Sequence, residues 1–198
     1  MGRQQKDDRL TRSFFMGLRA VDEEKRTAEV SFSSEEPYQR WDGLEILDHS
    51  DGCVDLQRLK SIGCVLFNHD RNQVIGQILS ADIKDKRGVA TIKFDDDEVS
   101  DVIFQKVKSG TLKGLSVGYI TSTIERVPAN KKSSDGRFTG PCYIAKRWMP
   151  YEISIVSVPA DATVGVGRSD EEPKGRSLGY FSRQLQYNQN ISNGGKRK

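Results

Sequence analysis

CVLFNHDRNQVIGQILSADIKDKRGVATIKF, residues 64–94, decides the fold class. CVLFNH (64–69) is an apolar run of strand length that ends on a histidine and runs into Asp70. VIGQILSADIKDKRGVATIKF (74–94) then places two β-rich arms around Lys84-Asp85-Lys86-Arg87-Gly88, the pattern of a hairpin. Strand, turn and hairpin in one stretch make this part of the chain a β-sheet.

The same alternation recurs on both sides. RTAEVSFSS (26–34) and GLEILDH (43–49) are predicted strands, and so is LSVGYITSTIERV (115–127). CYIAKRWMPYEISIVSVPA (142–160) is predicted as strand, interrupted at Pro150 and ended at Pro159. Two segments break the pattern. VDLQRLKSIG (54–63) has apolar residues near helical spacing and closes on Gly63. DDDEVSDVIFQKVKSG (95–110) carries acids in its first turn, Lys106 and Lys108 in its last, and Gly110 as a stop. Val99, Val102, Ile103 and Val107 are its expected apolar stripe. PANKKSSDGRFTGP (128–141) reads as an exposed loop. The expected fold is α+β and mostly β, a small curved sheet or barrel, antiparallel-rich, with flanking helices. The expected organisation is a loose N-terminus over 1–13, one domain over 14–165 and a polar tail over 166–198.

Composition narrows the function classes. Of the 198 residues, 35% are hydrophobic and 30% charged, which is globular rather than disordered. The net charge is +3, and from Ser169 onward six Lys/Arg face three acids, so residues 1–168 balance to zero. A neutral body argues against a protein whose main work is gripping phosphate backbones, leaving only the basic tail for nucleic acid or an acidic partner. Cys53, Cys64 and Cys142 are too few and too scattered for a disulfide framework or a zinc knot. No apolar run approaches the roughly 18 residues that span a membrane, and MGRQQKDDRL has no apolar core of a secretory signal. A soluble intracellular protein without metal or cofactor is the expectation.

Three places can carry chemistry. In Gly114-Leu115-Ser116-Val117-Gly118 a serine lies between glycines that let a backbone approach closely. The spacing matches G-x-S-x-G, but that elbow is a strand-turn-helix, whereas here a helix and turn lead into a strand. Ser116 is therefore either a nucleophile of another fold or an ordinary strand serine. His69, at a strand end, is either a base for a serine hydroxyl or an exposed turn residue. His49, the other histidine of the chain, follows GLEILD in the same way. Two histidines without clustered carboxylates or thiols do not make a metal site. Glu152 opens the apolar run Tyr151–Ala160; facing inward it needs a partner such as an imidazole N–H, facing outward it is solvated.

The order LFNHD, VIGQI, a helix leading to KGLSVGY, then YEISIVSVPADA resembles the prohead serine proteases of tailed phages, relatives of the herpesvirus assembly proteases. The resemblance covers roughly residues 14–165 and implies an assembly-protease-like fold. It implies that Ser116 is the nucleophile and His69 the general base, with Glu152, or alternatively His49, as third member. The oxyanion arginine of the herpesvirus enzymes has no matching motif in this sequence; Arg126 and Arg147 are only candidates, and the expected oxyanion donors are backbone N–H groups near Ser116. The implied activity is a serine endopeptidase that cleaves scaffold, an N-terminal scaffolding segment of the major capsid protein, and itself. It would work inside the prohead in the host cytoplasm. The herpesvirus relatives act as dimers, which leaves a homo-oligomer open. The alternatives are a non-catalytic capsid assembly module and an unrelated serine hydrolase such as an esterase.

Overall fold

The computed structural model describes residues 9–15, 20–40 and 43–158, all within one compact unit, residues 1–164. The expected tail, 166–198, lies outside the described residues. In chain order the elements are β1 (Arg9–Phe15), β2 (Ala20–Asp22), β3 (Thr27–Ser34), β4 (Tyr38–Arg40), β5 (Gly43–Leu47), α1 (Gln57–Ile62), β6 (Cys64–Phe67), β7 (Asp70–Lys84), β8 (Arg87–Phe94), α2 (Glu98–Lys108), β9 (Gly114–Val127) and β10 (Cys142–Val156).

One mixed sheet holds all ten strands, in the order β1-β9-β10-β6-β7-β8-β3-β2, with β4 and β5 attached beside β10. No pairing among the described residues joins β1 to β2, so the sheet is open where the sequence also allowed a barrel. β10 organises it. It pairs antiparallel with β9 along its length, and parallel with β5 near Tyr143–Ala145 and with β6 near Ile153–Ile155. Pro150 sits inside this continuous strand instead of interrupting it. Its missing N–H is absorbed where the pairing with β9 shifts register between Pro150 and Glu152.

Local chemistry accounts for the other elements. β7 and β8 turn through Asp85 and Lys86, both left-handed (φ 50° and 58°), which matches the twist of a tight hairpin. α2 starts where the Asp97 carboxylate accepts from the Val99 and Ser100 N–H groups. Its buried face is Ser100, Ile103, Phe104 and Val107, while Val99 and Val102 of the expected stripe are exposed. Phe104 sets that rotation: its ring meets Phe94 with centroids 5.2 Å apart, an aromatic pair that neither Val99 nor Val102 could replace. Residues 9–13, expected to be loose, belong to β1, and Arg12 is buried with its guanidinium 5.1 Å over the Tyr38 ring.

The core lies against one face of the sheet around Phe32, Leu59, Ile75, Ile92, Phe94, Leu115, Val117, Tyr119, Trp148 and Ile153. Each such side chain contributes about 1.5–3 kcal/mol relative to leaving it in water. The stretch 128–141 is not a free loop. Arg137 reaches from it to the wholly buried Asp48 at 2.6 Å and to Glu35 at 2.9 Å, and Lys146 of β10 meets Asp48 at 2.8 Å.

Candidate active site

Where β6 turns into β7 the chain allows only two residues, Asn68 and His69, because Phe67 already pairs with Asp70. Both are left-handed, φ 52° and 60°, a region Asn and His tolerate better than most side chains. The turn is pinned to β10: Asn68 N–H donates to the Ile155 carbonyl at 2.9 Å, and Asn68 Oδ1 accepts from Ser157 N–H at 2.9 Å. This anchorage fixes where the imidazole of His69 lies.

Beside it, β9 and β10 run in a register that pairs Ser116 with Ser154 and Gly118 with Glu152. Alternation puts Ser116 and Gly118 on one face of β9, and the bulge after Pro150 brings Glu152 and Ser154 to that same face of β10. Gly118 leaves the space that Glu152 fills. A Cβ there would strike the Glu152 carboxylate and stand 2.8 Å from Tyr151 Cζ.

The result is a linear hydrogen-bond chain. His69 Nδ1 lies 2.7 Å from Glu152 Oε1, and His69 Nε2 lies 2.8 Å from Ser116 Oγ. An ionised carboxylate only accepts, so Nδ1 carries the proton, and the Nε2 lone pair accepts from the Ser116 hydroxyl. Ser154 Oγ donates to Glu152 Oε2 at 2.5 Å and stands 3.3 Å from His69 Nδ1. Ser116 and Ser154 are fully buried, Glu152 is 5% exposed, and the His69 side chain is 29% exposed. Burial, then the Glu152 charge, pushes the Cys64 thiol up, which keeps it protonated at neutral pH and out of competition as a nucleophile.

The sequence-derived candidates separate cleanly. Ser116, His69 and Glu152 come together. His49 does not join them: its Nδ1 donates to the Leu47 carbonyl at 2.8 Å, and its Nε2 meets Ser33 Oγ at 2.7 Å. Burial pushes it down to about 4, so it is neutral in ordinary conditions. Arg126 lies ten residues along β9 from Ser116, about 33 Å at strand rise, and its guanidinium stacks on Tyr143. Arg147 pairs with Thr123, about 23 Å along the same strand. Neither reaches the site. β1 pairs with β9 on the side away from β10, so the backbone flanking Ser116 lies between two strands.

Two contributors escaped the sequence. Ser154 was readable only as the i+2 partner of Glu152 on one strand face. Gly118 was readable only as a close approach without an identified neighbour. Among the described residues no group of three or more His, Cys, Asp or Glu is placed to hold a metal, and no helix is long and apolar enough to cross a membrane.

A family model described as Caudovirus prohead serine protease matches residues 53–175. The chain is 36% identical over 147 residues to a protein named Major capsid protein from Halomonas phage phiHAP-1, covering 72% of this chain and 23% of that protein. It is 25% identical over 126 residues to a Capsid polyprotein of Pseudomonas phage PAJU2, covering 59% of this chain and 17% of that protein. The chain thus spans less than a quarter of the length of these curated relatives. No solved structure matches it.

Proposed function

Since the chain belongs to the caudovirus prohead serine protease family, we propose that it is a serine endopeptidase acting in phage capsid maturation. One observation carries the reading: the unbroken chain Ser116 Oγ, His69 Nε2, His69 Nδ1, Glu152 Oε1, with both links under 3 Å.

Ser116 Oγ attacks the scissile carbonyl carbon as its proton passes to His69 Nε2. Collapse of the tetrahedral adduct breaks the C–N bond, and His69 returns that proton to the departing amine. Water then repeats the sequence on the acyl-enzyme, freeing the acid and restoring Ser116. Glu152 stays ionised, holds the Nδ1–H tautomer and offsets the imidazolium charge. The capsid names of the relatives support a capsid polypeptide as substrate. Scaffold and the chain itself are further substrates under this proposal, inside the prohead in the host cell.

The test is intact mass of the purified protein, incubated alone and with the major capsid protein of its own phage, beside Ser116→Ala and His69→Ala. Cleavage by the parent that both variants lose supports the protease. A parent and variants that all leave the capsid protein whole, yet all support shell assembly, would favour a non-catalytic assembly module.

A further inference from the structure

We propose that Ser154 is a positioning residue for the His69–Glu152 pair, holding the carboxylate in place and drawing off part of its charge. This rests on the protease reading above.

The carboxylate of Glu152 has two oxygens to satisfy in a nearly dry environment, since the residue is 5% exposed. Oε1 takes the imidazole N–H at 2.7 Å. Oε2 takes the Ser154 hydroxyl at 2.5 Å, a length typical of a charge-assisted O–H bond. With both ends occupied the carboxylate cannot rotate away from His69. Ser154 is itself fully buried, and its strand neighbours across the sheet are Ser116 on β9 and Leu66 on β6, so it sits beneath the turn that carries His69.

The second effect is electronic. A hydroxyl donating to one carboxylate oxygen lowers the negative charge available to the other. Without it, Oε1 binds the imidazole proton more tightly and the imidazolium form is favoured. His69 then titrates at higher pH, and its neutral form, which accepts from Ser116, is scarcer near neutrality. Among the described residues, the groups within hydrogen-bond reach of His69 are Glu152 and Ser154 from β10 and Ser116 from β9. Cys64 on β6 stays a neutral thiol, and Asp70 is turned to Asn72 N–H and Gln73. Glu152 is thus the charge that Ser154 modulates.

The experiment is a pH titration of the two histidines by ring ¹⁵N NMR in the parent, Ser154→Ala, Ser154→Thr and Glu152→Gln proteins. It needs no substrate. His49, tied to Leu47 and Ser33 elsewhere, reports in the same spectra whether the fold is intact. The expected result is a His69 midpoint raised in Ser154→Ala, restored in Ser154→Thr, with His49 unmoved. Cleavage by Ser154→Ala should fall about tenfold to a hundredfold, mostly in kcat. A His69 midpoint in Ser154→Ala equal to the parent's, with His49 unmoved, overturns the role of Ser154 and leaves the triad standing. A Glu152→Gln protein whose His69 titrates as in the parent overturns the pairing itself, and the proposal with it. If Ser154→Ala disturbs His49 as well, the serine is a fold residue and the positioning role is rejected.

Discussion

The two histidines of this chain begin alike and end differently. Each follows an apolar strand and touches an aspartate in sequence, Asp48-His49 and His69-Asp70. His49 is packed edge-on against Trp148 at 5.3 Å, with both nitrogens spent on the neutral Leu47 carbonyl and Ser33 hydroxyl. His69 stands on a left-handed turn, with a carboxylate on one nitrogen and a serine hydroxyl on the other. The adjacent carboxylates do not decide this. Asp48 turns away to Arg137 and Lys146, and His69 takes its partner from a strand 83 positions along the chain. Imidazole chemistry is set by what the fold brings to each nitrogen, not by the local sequence.

The sharpest way to break the comparison is to exchange the consequences of losing each ring. His69→Ala is expected to cut cleavage of a capsid substrate about a thousandfold or more, with little change in melting temperature. His49→Phe should leave cleavage per folded molecule unchanged and cost roughly 1–3 kcal/mol of stability, because Ser33 and the Leu47 carbonyl lose buried partners. Rate assays and thermal melts on the pair check this; a His49→Phe protein that is stable but inactive would reverse the assignment.

Acid should separate the two buried groups around Trp148 by window. His49 is held neutral, about 4 against an ordinary 6.5, by burial. A histidine depressed on folding contributes stability that is complete above 6.5 and is lost as pH falls toward 4. The span is worth about 3 kcal/mol. Burial alone would raise Asp48, but Lys146, the Ser50 N–H and Arg137 outweigh it and hold the carboxyl well below the usual 3.8. Its contribution is present above that value and fades only below it. Denaturant melts across pH should therefore show two slopes. His49→Phe should erase the upper one and Asp48→Asn the lower one, the latter at a cost of about 3 kcal/mol at neutral pH. A single slope untouched by His49→Phe would show the ring to be charged when folded.

The smallest effect tests the steric side of the site. Gly118→Ala places a methyl against the Glu152 carboxylate and the Tyr151 ring. Cleavage is expected to fall about tenfold as the carboxylate shifts from His69, with the His49 environment intact. An unchanged rate would mean that Glu152 has room to move without consequence.

Much of this is legible in the sequence. The tight turns, the strands of β6 to β9 and the bounds of α2 rest on local patterns, since turn chemistry, alternation and helix caps act within a few residues. The face of α2 was not, because Val99 and Val102 match the periodicity as well as Phe104 does, and only contact with Phe94 chooses. The loop 128–141 looked solvated because Arg137 shows no partner in sequence; Asp48, 89 residues away, supplies it. β1 looked frayed because its own residues carry no alternation, and the free edge of β9 supplies its ladder.

By itself the sequence determined the β-rich class, the identities of a candidate nucleophile and base, and a third member left open between Glu152 and His49. Tertiary structure decided which of the two lies against His69: Glu152 does and His49 does not. A period-two strand must place Glu152 on one face or the other, and a one-residue bulge beside Pro150 reverses which. Register against Gly118 then opens the space for the carboxylate, and the Asn68–His69 turn, pinned to Ile155 and Ser157, brings the imidazole to it. These are relations between strands far apart in the chain, and a hydrogen bond of 2.7 Å between residues 69 and 152 exists only once the sheet has fixed both.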